Sequence, residues 1–355
     1  MVKRSFQVMA FPAFSNQMSN PYNALLYAAI TQADASIQVS EFSFKAALTK
    51  KVDIIHIHWP EVYAASRYIL KAYIYTFMIL FALFVSKMRG AKIVWTVHNL
   101  RPHKVKYPML NKMLWPLFMK LVDGICSLSK ANESIVLDTY PQLAPKRKVV
   151  TYHGLYNQAD ISTLTQSQAR QHLELPDTGR VFLCLGQIKP YKGMEKLIRL
   201  FQLDEMQHHK LVIAGKALDT AYVNQLASII NDSSNIIFRP GFIANENLPH
   251  YFKAADWSVI AYDAIFNSGS ALMSVTHKTP IILPYSDNFA EYGTLMPHQF
   301  LLYAQEINST TITDALAQLQ GYNPADSVAP KSDSPLSWHN IGQTTAEFYR
   351  QLADD

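Results

Sequence analysis

Two lysines three residues apart, Lys189 and Lys192 in GQIKPYKG, and the small-residue turn Ser268-Gly269-Ser270 in NSGSALMSV have the makings of an anion site. Each follows a short apolar run and precedes a helical one. Each is therefore read as a loop at the carboxyl end of a parallel strand, where open α/β sheets bind their ligands and helix N–H groups favour anions. Gly186 ends the first strand, Pro190 stiffens the loop, and Gly193 opens the helix MEKLIRLF. Two ammonium groups there can neutralise a diphosphate leaving group. Further along, AGK offers Gly215 and Lys216, and in RPGFIANENLP the backbone amides near Phe242 and Ile243 can pair with a base edge. The first half holds a different set. His56, His58, Trp59 and Glu61 follow one strand, and His98, Asn99 and His103 follow another. A histidine or carboxylate at such a strand end can take the proton of an acceptor hydroxyl if its pKa lies near the working pH. His56 and His58 share a strand face, yet HxH without an assured third ligand makes no metal set. Each motif also has a plainer use: surface lysines on a solvated loop, a helix N-cap serine, a core-bonded histidine.

These residues need strands and helices to hold them. Strands are expected at Phe6–Phe11, Val52–Ile57, Ile93–Val97, Gly124–Leu128 and Val149–Tyr152, with helices at Tyr22–Gln32, Ala64–Met88, Met109–Lys120 and Lys130–Tyr140 between them. The alternation resumes with strands near Val181–Leu185, Leu211–Ala214, Ile236–Arg239, Trp257–Ile260, Pro280–Pro284 and Phe300–Tyr303. Repeated βα units predict parallel sheets with helices on both faces. The polar stretch Asn157–Gly179 reads as a linker and Pro324–Pro335 as a second connector, followed by a closing helix over Trp338–Leu352. The expected architecture is α/β: two doubly wound Rossmann-like domains facing a cleft, 1–160 and 161–335, with 336–355 packing back on the first.

The chain has 355 residues, an ordinary globular composition and two cysteines, Cys126 and Cys184, in different halves. Two such cysteines supply neither a disulfide framework nor metal spacing, so a reducing compartment is expected. Residues 1–153 carry 19 Lys and Arg against 7 Asp and Glu, while the remainder carries 13 against 20. An anionic partner is expected for the first half. No zinc-finger, RRM or helix-turn-helix signature accompanies the charge, so nucleic acid is not the expected partner. A membrane surface fits better. Between Lys71 and Lys87 lie 15 uncharged residues, AYIYTFMILFALFVS, fewer than the about 20 a span needs. They read as a buried helix or as one dipping into the headgroup region between flanking cations. The amino terminus reads as a first strand and not as a signal peptide, so a cytoplasmic protein, peripheral to the membrane, is expected.

The serial order GQIKPYKG, LVIAGK, PGFI…LPHYFKAAD, AYDAIFNSGSALMSVTHKTPII resembles the nucleotide-sugar-binding domain of GT-B glycosyltransferases, in particular family 4 and related bacterial exopolysaccharide enzymes. The resemblance extends into the first half through DIIHIHWPE and IVWTVHNLRPH. It implies that Lys192 holds the donor diphosphate and that His98 approaches the donor sugar. Gln187 stands where the family has an arginine, which leaves Lys189 to supply the charge. Ile265 and Met273 stand where family 4 has paired glutamates, and FPAFSNQMSNPY lacks the usual glycine pair. The implied donor contacts are then Gln187, Lys189, Lys192, Gly215, Lys216, Phe242, Ile243, Ser268, Gly269 and Ser270. Asn20, Tyr22, Asn99 and His103 are the expected acceptor contacts, and His98, His58 and Glu61 the catalytic candidates.

The expected activity is hexosyl transfer from a UDP- or GDP-sugar to a saccharide acceptor, in particular a lipid-linked diphosphate saccharide of a surface polysaccharide pathway. The nucleotide sugar is a substrate, and neither cofactor nor metal is expected. Inverting β-mannosyl transfer from GDP-mannose is the alternative within the class. A non-catalytic GT-B subunit that binds a partner or membrane is the alternative outside it.

Overall fold

The structure is a computed structural model that describes residues 5–18, 20–100, 106–156, 164–263, 266–297, 299–303, 306–319 and 333–355. The chain divides into two compact units, Met1–Gly154 with Pro330–Asp355, and Leu155–Ala329.

In the first unit β1 (Phe6–Phe11), α1 (Tyr22–Ala33), β2 (Ile37–Glu41), α2 (Phe44–Thr49), β3 (Ile54–Ile57), α3 (Ile69–Met88), β4 (Lys92–Thr96), α4 (Pro108–Leu121), β5 (Gly124–Ser127), α5 (Lys130–Thr139) and β6 (Arg147–Val150) follow in order. The six strands form one parallel sheet, ordered β2-β1-β3-β4-β5-β6. β3 and β5 are buried at every position, as strands covered on both faces are, with His56 and Ser127 as their polar members. β2 is the edge strand and alternates between burial and exposure. Helix α3 starts at Ile69, later than the expected Ala64, because Pro60–Ala64 forms a 3-10 turn first. It stops at Arg89, and Gly90 takes the left-handed φ of +94° that turns the chain out of the helix.

The second unit repeats the scheme with α6 (Gln166–His172), β7 (Val181–Leu185), α7 (Met194–Phe201), β8 (Lys210–Gly215), α8 (Thr220–Ile230), β9 (Ile236–Pro240), α9 (Leu248–Ala254), β10 (Trp257–Val259), α10 (Gly269–Thr276), β11 (Ile281–Pro284), α11 (Asp287–Leu295), β12 (Phe300–Tyr303) and α12 (Ser309–Leu319). Its parallel sheet is ordered β12-β11-β10-β7-β8-β9. The expected linker is corrected here. Its described part contains α6, opened by a capping box in which Thr165 and Gln168 satisfy each other's backbone N–H. Ala169, Leu173 and Leu175 pack with Phe252 of α9 in a buried cluster, and Arg170 pairs with Asp256 at 2.8 Å, both side chains being buried.

The last helix, α13 (Trp338–Asp354), belongs to the first unit and lies along α1. A Cβ on Gly342 would stand 2.4 Å from the Ala29 carbonyl oxygen, so the two backbones touch. Ile341, Phe348, Tyr349 and Leu352 complete the core formed by β1 and α1.

Candidate active-site groups

In the second unit the first strand, β7, lies between β8 and β10, so the chain leaves it in opposite directions and opens a switch point at its carboxyl end. The loops after β7 and β10 flank that point. Their side chains meet: Lys192 Nζ donates to Ser270 Oγ at 3.3 Å and lies 5.6 Å from the Tyr262 ring centroid. Gly186 (φ +139°) leaves the space, since a Cβ there would stand 2.5 Å from Ser270 Oγ and 2.7 Å from Lys192 Nζ. Gly193 (φ +68°) brings the loop against the Ala261 carbonyl so closely that a Cβ would lie 1.8 Å from its oxygen. Lys192 is buried, and burial lowers its pKa. Lys189, half-buried beside Tyr191, is lowered by burial and then by the charge of Lys192. Among the described residues no carboxylate pairs with either lysine. Two partly desolvated cations that share no carboxylate among the described residues make an arrangement suited to an anion. Ser268 is the N-cap of α10, accepting from the Ala271 N–H at 3.2 Å, and its Oγ lies 3.1 Å from the Tyr262 hydroxyl. Gln187, Lys216 and Phe242 are exposed, Ile243 is half-buried in an apolar cluster, and Gly215 closes β8.

In the first unit the switch point lies between β1 and β3. The turn after β3 carries Glu61, and the loop after the adjacent β4 carries His98 and Asn99. The Asn99 amide donates to the Glu61 carboxylate, which keeps some exposed surface. Burial raises the Glu61 pKa to about 7 against the opposing pull of its hydrogen bonds. Beneath lies a buried chain of rings. Tyr27 Oη is 2.6 Å from His58 Nε2, and His58 Nδ1 is 2.9 Å from His98 Nε2. His98 stacks on Trp59 with centroids 4.3 Å apart. His56 lies 2.5 Å from the Tyr349 hydroxyl and 2.7 Å from that of Thr96. Burial holds His56 near pKa 3 and His153 near 4, and it pushes His58 and His98 well below the ordinary histidine value. All four imidazoles are therefore neutral at pH 7.

The family "Glycosyl transferases group 1" matches residues 165–264, the stretch that contains the Lys189–Lys192 loop. The chain is 25% identical over 341 residues to a GDP-mannose:glycolipid 4-beta-D-mannosyltransferase of Xanthomonas campestris pv. campestris, covering 94% of this chain and 89% of the relative. It is 26% identical over 266 residues to an alpha-monoglucosyldiacylglycerol synthase of Streptococcus pneumoniae, covering 71% and 57%. In fold it resembles a sucrose-phosphate synthase from Thermosynechococcus elongatus, with a TM-score of 0.68 at 15% identity over 98% of this chain and 99% of that one. The protein is a GT-B glycosyltransferase.

Several expected contacts of this glycosyltransferase stand elsewhere than the sequence suggested. His58 is 1% exposed with both ring nitrogens engaged, so it supports His98 and cannot itself reach an acceptor. Tyr22 is also 1% exposed, its ring packed against His98 and His153, and it serves packing, not acceptor contact. Asn20 is half-buried, and its Oδ1 accepts from the Tyr22 N–H at 3.2 Å. His103 and Ile265 lie outside the described residues. Sequence reasoning missed Tyr27 and Tyr262, whose hydroxyls fix His58 and Ser268. It also missed Glu41. That carboxylate accepts from the N–H groups of Ala13, Phe14 and Ser15 and from the Ser15 hydroxyl, so it shapes the loop after β1 where glycines are lacking.

Proposed function

We propose that this glycosyltransferase transfers mannose from GDP-mannose to a lipid-linked saccharide with inversion at the anomeric carbon, at the cytoplasmic face of a membrane. The observation that carries inversion is the Glu61–Asn99 pair, a carboxylate titrating near neutrality at a strand end, held by an amide. The similarity over 94% of the chain to an enzyme named for GDP-mannose, a glycolipid acceptor and a 4-β-D-mannosyl product supports the donor and the stereochemistry. The diacylglycerol glycolipid named for the second relative supports a lipid acceptor. Both cysteines are buried and free, in keeping with a reducing compartment.

The chemistry is a single displacement. The acceptor oxygen bonds to the anomeric carbon as its proton passes to Glu61, and the bond from that carbon to the diphosphate breaks, with its electron pair leaving on GDP. An α-linked donor then gives a β product. The growing charge on the diphosphate is met by Lys192 and Lys189, with the Ser270 hydroxyl and the amino terminus of α10 as further donors. These groups do the work of charge neutralisation, so the mechanism requires no metal. His98, neutral and held by His58 and Trp59, is a rigid hydrogen-bonding group for the sugar. Met273 stands in α10 where family 4 carries a glutamate, so no carboxylate acts from that position.

The test is a transfer assay with a short-chain lipid-linked saccharide and a panel of GDP- and UDP-sugars. Mannosyl transfer from GDP-mannose alone is expected. Transfer from a UDP-sugar with none from GDP-mannose overturns the donor assignment.

A further inference from the structure

Helix α3 buries Ile79 and Leu83 together with four small residues, and it leaves most of its large apolar side chains outward. Ala72, Thr76, Ala82 and Ser86 lie on the buried face, while Leu70, Phe77, Phe84 and Met88 are 69%, 66%, 51% and 72% exposed. The second set recurs at intervals of seven and four residues, which places it on one helical face. A soluble helix of ordinary design turns polar side chains to that outer face. α4 packs beside α3 with an ordinary buried face of Leu110, Leu114 and Phe118, and it too exposes apolar side chains, Met109 and Met113 at 71% and 41% with Lys112 between them. β3, β4 and β5 are neighbours in sequence order, so the two right-handed crossovers put both helices on the same face of the sheet.

The charge around this face is of one sign. From residue 62 to residue 122 there are ten Lys and Arg and no Asp or Glu. Lys87 is tied to Asp123 and the Leu121 carbonyl, and Arg89 to the Leu48 and Thr49 carbonyls. Lys71, Lys112 and Lys120 have no carboxylate partner among the described residues. α3 is long and apolar enough to cross a bilayer, yet its inner face is packed against α2 and α4. The arrangement is that of a helix lying in an interface, apolar side chains in the acyl boundary and cations at the headgroups.

We infer that the exposed face of α3 and α4 is the surface on which this enzyme lies on an anionic phospholipid bilayer. The inference rests on the reading of the acceptor as lipid-linked, and it places the bilayer beside the catalytic loops of the first unit. The 3-10 turn that carries Glu61 runs into α3 and packs on both helices. An acceptor whose lipid tail stays in the bilayer thus presents its saccharide near the base. Basic and apolar features together fit a bilayer better than a second copy of the chain, since like charges would face each other across a two-fold contact.

The experiment is co-sedimentation of the full chain with vesicles of phosphatidylcholine alone and of equal parts phosphatidylcholine and phosphatidylglycerol. The wild type should pellet with the anionic vesicles and be released by salt. Phe77→Glu with Phe84→Glu, and separately Lys112→Glu with Lys120→Glu, should each weaken partitioning by about tenfold or more. Both pairs are exposed, so the GDP-mannose thermal shift and transfer to a soluble saccharide acceptor should be retained. Undiminished pelleting of both variants overturns the inference. So does a wild-type dimer in ultracentrifugation that the Phe→Glu pair dissociates without any vesicle binding. Vesicle binding without nucleotide-sugar transfer would leave the docking surface standing and remove the proposed function instead.

Discussion

Lys192 Nζ stands 3.3 Å from Ser270 Oγ, joining the loop after β7 to the first turn of α10 across the switch point of the second sheet. No carboxylate among the described residues shares that ammonium group, and its pKa is lowered by burial. Replacement by methionine keeps most of the volume and removes a buried charge. Lys192→Met should keep or raise the melting temperature, abolish the GDP thermal shift, and cut transfer by about 10²- to 10³-fold. A variant with full transfer contradicts the diphosphate role.

The same lysine sets an alkaline limit. A protonated Lys192 binds the diphosphate, and its folded pKa lies below the ordinary lysine value. GDP affinity should therefore weaken as pH rises toward that lowered pKa, at a pH where an unperturbed lysine is still fully charged. Titration calorimetry from neutral to alkaline pH reads this directly.

Glu61 must be ionised to accept a proton, and its pKa is about 7. The wild-type kcat should rise with pH through about 7 and then level. Glu61→Gln should lower kcat by about 10²- to 10⁴-fold with little change in the donor KM and lose the rise. Asn99→Ala removes a bond to the ionised form and should move the midpoint upward. A profile unchanged in Glu61→Gln assigns the base elsewhere.

Gly186 and Gly193 separate binding from folding. A methyl at Gly186 meets the mobile ends of Ser270 and Lys192, whereas one at Gly193 meets the Ala261 backbone oxygen at 1.8 Å. Gly186→Ala should lose most nucleotide affinity and part of its stability to the positive φ. Gly193→Ala should unfold the second unit or lower its melting temperature sharply. Thermal melts with and without GDP distinguish the two.

The buried histidines of the first unit give an acid limit. His56 and His153 titrate near 3 and 4 in the fold, and His58 and His98 well below their ordinary value. The stability they confer is complete above the unfolded pKa and is lost as pH falls below it, because only the unfolded chain takes up their protons. Each costs about 1.2 kcal/mol between pH 7 and 5.5, or roughly 5 kcal/mol for all four. Urea unfolding of Glu61→Gln at the two pH values, followed by tryptophan fluorescence, measures the sum free of the opposing proton uptake by Glu61.

The βα alternation was legible because β-branched runs such as VFLCL and KLVIAG contrast sharply with amphipathic MEKLIRLF. Strand β2 and helix α2 were not read. IQVSE is a short edge strand with one face in water, and FKAALT has a single buried residue, so neither carries a strong period. Polarity alone makes α6 look like linker, although TQSQ spells the capping box that opens it. Local loop chemistry marked Lys192, Ser270 and Glu61, because a strand end and a residue type suffice to nominate them. The loss of Tyr22 and His58 as contacts was not legible. Their burial depends on α13 and α1, more than 280 residues apart in the chain and touching at Gly342 and Ala29.

The most direct measurement is the anomeric configuration of the product formed from GDP-mannose and a lipid-linked saccharide, read from the one-bond carbon–proton coupling at C1. Inversion with Glu61 as base predicts a β-mannoside from the wild type and almost none from Glu61→Gln. An α-mannoside, formed with retention of the donor configuration, would contradict the account.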